Sequence, residues 1–98
     1  MHDILFIGDA VTAAGFRLAG VETRVPDPDA LADTVEAARG ETRVLVMTAE
    51  TRAALPPRLG AALDASEAPL LALVPDVRGQ VPVADMEAEV RRALGIEV

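Results

Sequence analysis

Three short apolar runs punctuate the chain at wide intervals: ILFI (Ile4 to Ile7), RVLVM (Arg43 to Met47) and LLALV (Leu70 to Val74). Each is continuous rather than alternating and is bounded by turn residues, the pattern of strands buried on both faces of a parallel sheet. A shorter run, VETRV (Val21 to Val25), alternates apolar with polar positions and reads as an edge strand. Between the runs the period lengthens to that of helices. One helical segment runs from about Ala10 to Ala19 and stops at Gly20. A second opens at DPDA, with Asp27 as N-cap, Pro28 at the first helical position and Asp29 complementing the dipole. It carries Leu31, Val35 and Ala38 on one face and stops at Gly40. A third is broken at Pro56 and Pro57, predicting a short turn followed by a helix that bears Leu59, Ala62 and Leu63. A fourth covers roughly Ala84 to Leu94.

Strand and helix thus alternate, which predicts an α/β fold: a small open four-stranded parallel sheet in the order 2-1-3-4, flanked by helices on both faces, Rossmann or flavodoxin-like. The segment PDVRGQVP after the fourth strand holds two prolines and a glycine. It reads as a hinge. The expected division is an α/β domain over residues 1–75, a hinge loop over 76–82 and a C-terminal helix over 83–98.

Composition narrows the picture. The 98 residues fit one small domain with one modest core, and with only two Phe among the aromatics its volume must come from Leu, Val and Ile. Net charge is −7 and no Lys occurs, so the basic stripe that tracks phosphates is missing and no nucleic-acid partner is expected. The chain has no Cys, which removes disulfides, thiolate catalysis and thiolate metal sites. No apolar run approaches the ~18–20 residues of a spanning helix, and no export signal precedes DILFIG. A cytoplasmic protein without membrane insertion is the expectation.

In an open parallel sheet, ligands bind outside the carboxyl ends of the strands. There the chain offers GDAVTAAG, which lacks the G-x-G-x-x-G of dinucleotide folds, and no Gly-Lys-Ser/Thr loop. Asp9 invites comparison with the acidic pocket of receiver domains, which share this architecture. The third strand, however, ends in Met47 and Thr48 where a phosphoacceptor Asp would stand, and Pro75 and Asp76 follow the fourth where a basic residue would stand. Asp9 therefore reads first as a helix N-cap. His2, the only histidine, lies at a terminus, and Thr12, Thr48 and Ser66 have no His to activate them. No catalytic residue, cofactor or metal site is predicted, and a flavin would find no Trp or Tyr to stack on.

The stretch GFRLAG, Gly15 to Gly20, places a glycine in mid-helix, where it costs roughly 1 kcal/mol relative to Ala. On a helical wheel Val11, Ala14, Gly15 and Leu18 share the face expected to pack on the sheet, with Gly15 allowing close backbone approach. The same wheel throws Phe16 outward beside Arg17, a pairing typical of interface anchors. The other reading has Phe16 curling over the helix end onto a satellite cluster.

The string Asp9-x-x-Thr12-x-x-Gly15-Phe16-Arg17-Leu18-Ala19-Gly20-Val21 after a first strand in IGD resembles the signature of the F subunit of V-type and archaeal-type (A-type) rotary ATPases and ATP synthases. Length, four β-α units, a fourth strand ending in Pro75 and a closing RRALGIEV are similar to that family as well. The absence of Lys is a departure. The resemblance implies a non-catalytic rotor part, peripheral to the membrane. It would bind the coiled coil of the D subunit in the central stalk, reach the catalytic A and B subunits through a mobile C-terminal helix, and influence how ATP turnover couples to proton or sodium movement. The alternative from another class is a degenerate receiver-like signalling domain without phosphoacceptor chemistry.

In the last helix Val83, Met86, Val90 and Ala93 or Leu94 follow a/d spacing, a narrow seam suited to another helix, or to the domain's own sheet. Arg91 and Arg92 favour the helix dipole and suit acidic partners. Phe16, Arg17, Val83, Met86, Val90, Arg91 and Leu94 are the candidate contact residues, and Asp9, Gly15 and Gly20 the structural ones.

Overall fold

The computed structural model describes residues 2–75, where the two periods of the sequence become four strands and four α-helices. In chain order these are β1 (His2–Ile7), α1 (Ala10–Leu18), β2 (Glu22–Arg24), α2 (Leu31–Ala38), β3 (Thr42–Thr48), α3 (Ala49–Ala53), α4 (Pro57–Asp64) and β4 (Leu70–Val74). The strands form one parallel sheet in the order β2-β1-β3-β4, the predicted topology. The expected hinge over 76–82 and the last helix, with Val83, Met86, Val90, Arg91 and Leu94, lie outside the described residues.

Parallel register places partnered side chains on the same face. Ile4, Val44 and Leu70 stand in one row across β1, β3 and β4, and Thr23, Phe6, Val46 and Ala72 form the next row across all four strands. Leu5, Ile7, Leu45 and Met47 point the other way, into a core closed by Val35 and Ala38 of α2, Leu63 of α4 and Leu55. Phe6, Val46 and Val74 form the core of the first face with Ala13 and Phe16 of α1. So α1 covers one face and α2 and α4 the other. Each fully buried Leu, Val or Phe contributes roughly 1.5–3 kcal/mol, and interleaved burial on both faces explains why the runs in β1 and β3 are continuous.

Two expectations need correction. LLALV reads as a strand buried on both faces, but β4 lies at the open edge of the sheet, where Leu70 is 57% and Leu73 49% exposed. Asp27 occupies the N-cap position of a three-residue 3-10 turn, Pro28–Ala30, that precedes α2, and its side chain makes no capping bond. Its backbone carbonyl takes the Ala30 N–H instead, at 2.9 Å, and Pro28 has no N–H to offer.

Candidate functional site

At the carboxyl ends of β1, β2 and β3 a cleft of about 220 Å³ opens between Gly8, Asp9, Val25, Pro26, Glu50 and Thr51. It occupies the switch point between β1 and β3, where the chain reverses its direction of travel across the sheet. Asp9 in its lining and Thr48 beside Thr51 serve the fold. Asp9 Oδ2 accepts the Thr12 N–H at 2.8 Å, which makes Asp9 the N-cap of α1 as the sequence predicts. Thr48 caps α3 in the same way, its Oγ1 accepting from Thr51 N at 3.1 Å and donating to Thr51 Oγ1 at 2.9 Å. Gly8 is required for another reason, since a Cβ there would lie 2.6 Å from Cζ of Phe6. Among the described residues no group of three or more His, Cys, Asp and Glu is arranged to hold a metal ion.

The other candidate, GFRLAG, is a helix stop built around its aromatic residue. Ala19 is the C-cap, and Gly20 follows with φ +86°, a left-handed conformation that glycine adopts without a Cβ penalty. The Gly20 N–H donates to the Arg17 carbonyl and the Val21 N–H to the Phe16 carbonyl, both at 3.0 Å. This is the paired bonding of a Schellman motif, which also brings the side chains of Phe16 and Val21 into one apolar cluster. Phe16 is 1% exposed, and its ring stacks on that of Phe6 with centroids 4.4 Å apart and planes 14° from parallel. Both aromatic residues of the chain are spent on this one contact.

The outward Phe16 is thereby corrected, and with it the packing face of the wheel, of which Gly15 is buried as expected while Val11 and Leu18 are not. Thr12, Ala13, Gly15 and Phe16 are the buried positions of α1, whereas Val11 is 42% and Leu18 56% exposed. The reason is volume. α1 is a two-and-a-half-turn helix whose apolar residues surround it, and its rotation is settled by its one large side chain, since a Phe buries about 150–250 Å². The smaller Val11 and Leu18 then take what remains. The expected alternative, Phe16 curling over the helix end onto a satellite cluster, is corrected as well: the ring is buried, but in the core between α1 and the sheet, on Phe6 of β1.

With Phe16 beneath, Arg17 rises on the flank nearest β2. Its Nε and Nη2 donate to Thr23 Oγ1 at 3.4 and 3.2 Å, and the guanidinium remains exposed. Among the described residues it makes no ion pair, unlike Arg24 with Glu41, Arg39 with Glu36 and Arg52 with Asp64. Arg17 therefore presents a positive charge on an acidic molecule, on a helix held at both ends.

A sequence model of the ATP synthase (F/14-kDa) subunit matches residues 4–93, nearly the whole chain. The chain belongs to this ATP synthase subunit family. It is accordingly part of a rotary ATP synthase or ATPase, a machine of ion transport and ATP synthesis. No curated protein matches the chain. No helix among the described residues is long and apolar enough to cross a membrane. Within this family membership the matched span includes both the GFRLAG stop and the switch-point cleft.

Sequence reasoning missed the Phe6–Phe16 stack and the demand it places on Gly8. A signal was available. When a chain has two aromatic residues, one in a central strand and one on the adjacent crossover helix, mutual burial satisfies both.

Proposed function

We propose that this protein is a non-catalytic part of the rotor, bound to the coiled coil of the D subunit in the central stalk and tuning how ATP turnover is coupled to proton or sodium movement. The observation that carries the reading is the family match over residues 4–93, which embraces the GFRLAG element that bears the resemblance to the F subunit. The architecture is compatible with a mechanical part: Asp9 in the cleft and Thr48 beside it cap helices.

The stalk contact is assigned to the exposed guanidinium of Arg17 and, beyond the described residues, to Val83, Met86, Val90, Arg91 and Leu94. The catalytic A and B subunits are reached through the same terminal segment. Phe16 contributes from beneath, by fixing the rotation of α1 and hence the direction of Arg17. The protein works at the cytoplasmic side of the membrane as a peripheral component.

The test is a calorimetric titration against the recombinant D subunit from the same genome. A one-to-one complex is expected. Arg17→Ala should weaken it about two- to fivefold, the worth of a partly solvated ion pair, and truncation after Pro82 should weaken it further. Absence of binding at about tens of micromolar, weaker than roughly −7 kcal/mol, would refute the assignment.

A further inference from the structure

The two outer strands of the sheet are built differently. β4 carries no charge between Leu70 and Val74, whereas β2 reads Glu22-Thr23-Arg24, a charge of each sign on either side of a threonine. β2 is outermost on its side, and no described strand pairs with its far edge. The Arg24 carbonyl accepts the Gly8 N–H at 3.2 Å, so the backbone groups of Arg24 face the sheet. By the alternation of a strand, those of Thr23 face the open side. Gly20 turns the chain into this segment, and Pro26, with no N–H to donate, ends it. Glu22 and Arg24 partner Leu5 and Ile7 in register, so their side chains share the α2 face of the sheet. Glu22 is exposed and makes no ion pair among the described residues. Arg24 gives one Nη2 bond to Glu41, and a guanidinium has further N–H groups with which to reach a second carboxylate.

We propose that this edge pairs with a second copy of the chain, antiparallel about a two-fold axis through Thr23. Charge complementarity selects the occupant. The segment Val21-Glu22-Thr23-Arg24-Val25 has one pattern in both directions, so the axis sets Val21 opposite Val25, Glu22 opposite Arg24 and Thr23 opposite itself. The two Thr23 residues then exchange N–H···O bonds across the axis. Glu22 and Arg24 fall at the intervening positions without backbone bonds, where facing Cα atoms stand about 4.5 Å apart and side chains are closest. Each copy thus supplies both members of two cross-strand ion pairs, on a molecule whose net charge of −7 would otherwise repel its like. Val25, 44% exposed, adds apolar contact at each end. Arg17 is bonded to Thr23 on the opposite face, so two Arg17 guanidinium groups approach the axis and their repulsion loosens the pair. Five residues of strand span only about 17 Å, which keeps the contact below the ~1,200 Å² of a standard interface. The dimer is therefore weak and reversible, with a Kd of about 0.1–1 mM.

Sedimentation equilibrium of the full chain tests this, read by interference because the chain has neither Trp nor Tyr. A monomer–dimer equilibrium is expected across about 0.05–2 mM. Glu22→Arg sets like charges against each other across the axis, as does Arg24→Glu, and either alone should weaken self-association about tenfold or more. An equimolar mixture of the two variants should associate within about threefold of the wild type, because each offers the other opposite charges at both positions. The same reversals on α2, Glu36→Arg and Arg39→Glu, at an exposed ion pair away from the edge, are the control and should change self-association by less than about twofold. Thr23→Pro removes the outward N–H at an edge position, where proline is tolerated, and should abolish the dimer without altering charge. Far-UV circular dichroism confirms that each variant is folded. A wild type that stays monomeric throughout that range, single reversals without effect, a mixture no tighter than its components, or a dimer that survives Thr23→Pro would each overturn the proposal. No stalk subunit takes part in the measurement, so its outcome and that of the calorimetric titration are independent.

Discussion

Truncating Phe16 to Ala distinguishes a buried stacking residue from a surface anchor. The ring is 1% exposed and stacked on Phe6 at 4.4 Å. Its removal costs about 3–5 kcal/mol in transfer and cavity terms for a core Phe→Ala change, of which roughly 0.5–1.5 kcal/mol belongs to the aromatic pair. A domain of this size has about 5–15 kcal/mol in total. The variant should therefore lose about a fifth or more of its stability, and at about 4–8 °C per kcal/mol the midpoint should fall by roughly 12–40 °C. The chain has neither Trp nor Tyr, so far-UV circular dichroism during urea unfolding is the suitable probe. A cycle with Phe6→Leu and the double variant isolates the pair, with an expected coupling of about 0.5–1.5 kcal/mol. A loss within the ~0.5 kcal/mol typical of surface sites would refute the stacked, buried Phe16 and return it to the exterior.

Gly20→Ala should destabilise by about 1–2 kcal/mol, because an L side chain is forced into the left-handed region, whereas Gly40→Ala, with ordinary φ and open space around it, should be neutral or gain about 0.4–1 kcal/mol; equal effects in urea titration would contradict the Schellman stop. Thr12 Oγ1 is buried without a hydrogen-bond partner among the described residues, so the isosteric Thr12→Val should stabilise by about 1 kcal/mol, and a loss of that size would show that the hydroxyl is bonded. Asp64 is held below the ordinary carboxylate range by its hydrogen bonds from Arg52, with Coulomb attraction adding to them. Since its folded value is the lower one, the pair stabilises above the ordinary carboxylate range and the contribution disappears as pH falls through the folded value. A Cβ at Gly60 would press on the Arg52 guanidinium, 2.6 Å from its Cζ, so in Gly60→Ala the Asp64 titration followed by NMR should move up towards the ordinary range; an unmoved titration would show that Arg52 finds another route to its partner.

The strands, their order and the cap at Asp9 were legible because each rests on local physics: continuous apolar runs, alternation of period, and a carboxylate before a helix. The rotation of α1 was not. A wheel counts Val11, Ala14, Gly15 and Leu18 as four equal votes, but packing weighs them by volume, and Phe16 outweighs them once Phe6 is known to lie beneath. The exposure of Leu70 and Leu73 was hidden for a different reason, because an apolar run in an edge strand looks the same as one in a central strand. Asp27 illustrates competition between backbone and side chain, where the carbonyl of the residue took the donor that its carboxylate would have claimed. The proposed contact residues rest on the family signature alone, since no single residue among them is diagnostic.

Of the four described strands, the first to be synthesised is one of the two central ones. β1 pairs with β2 on one side and with β3 on the other, so the second flank stays open until Thr48 has left the ribosome, about 2–8 s after Ile7 at roughly 5–20 residues per second. Throughout that delay Leu5, Phe6 and Ile7 form an apolar ribbon with one open edge on a nascent chain, the kind of segment that invites pairing with other chains. Synonymous codons that slow elongation between residues 7 and 48 should therefore lower the yield of folded protein without altering the stability of the finished fold.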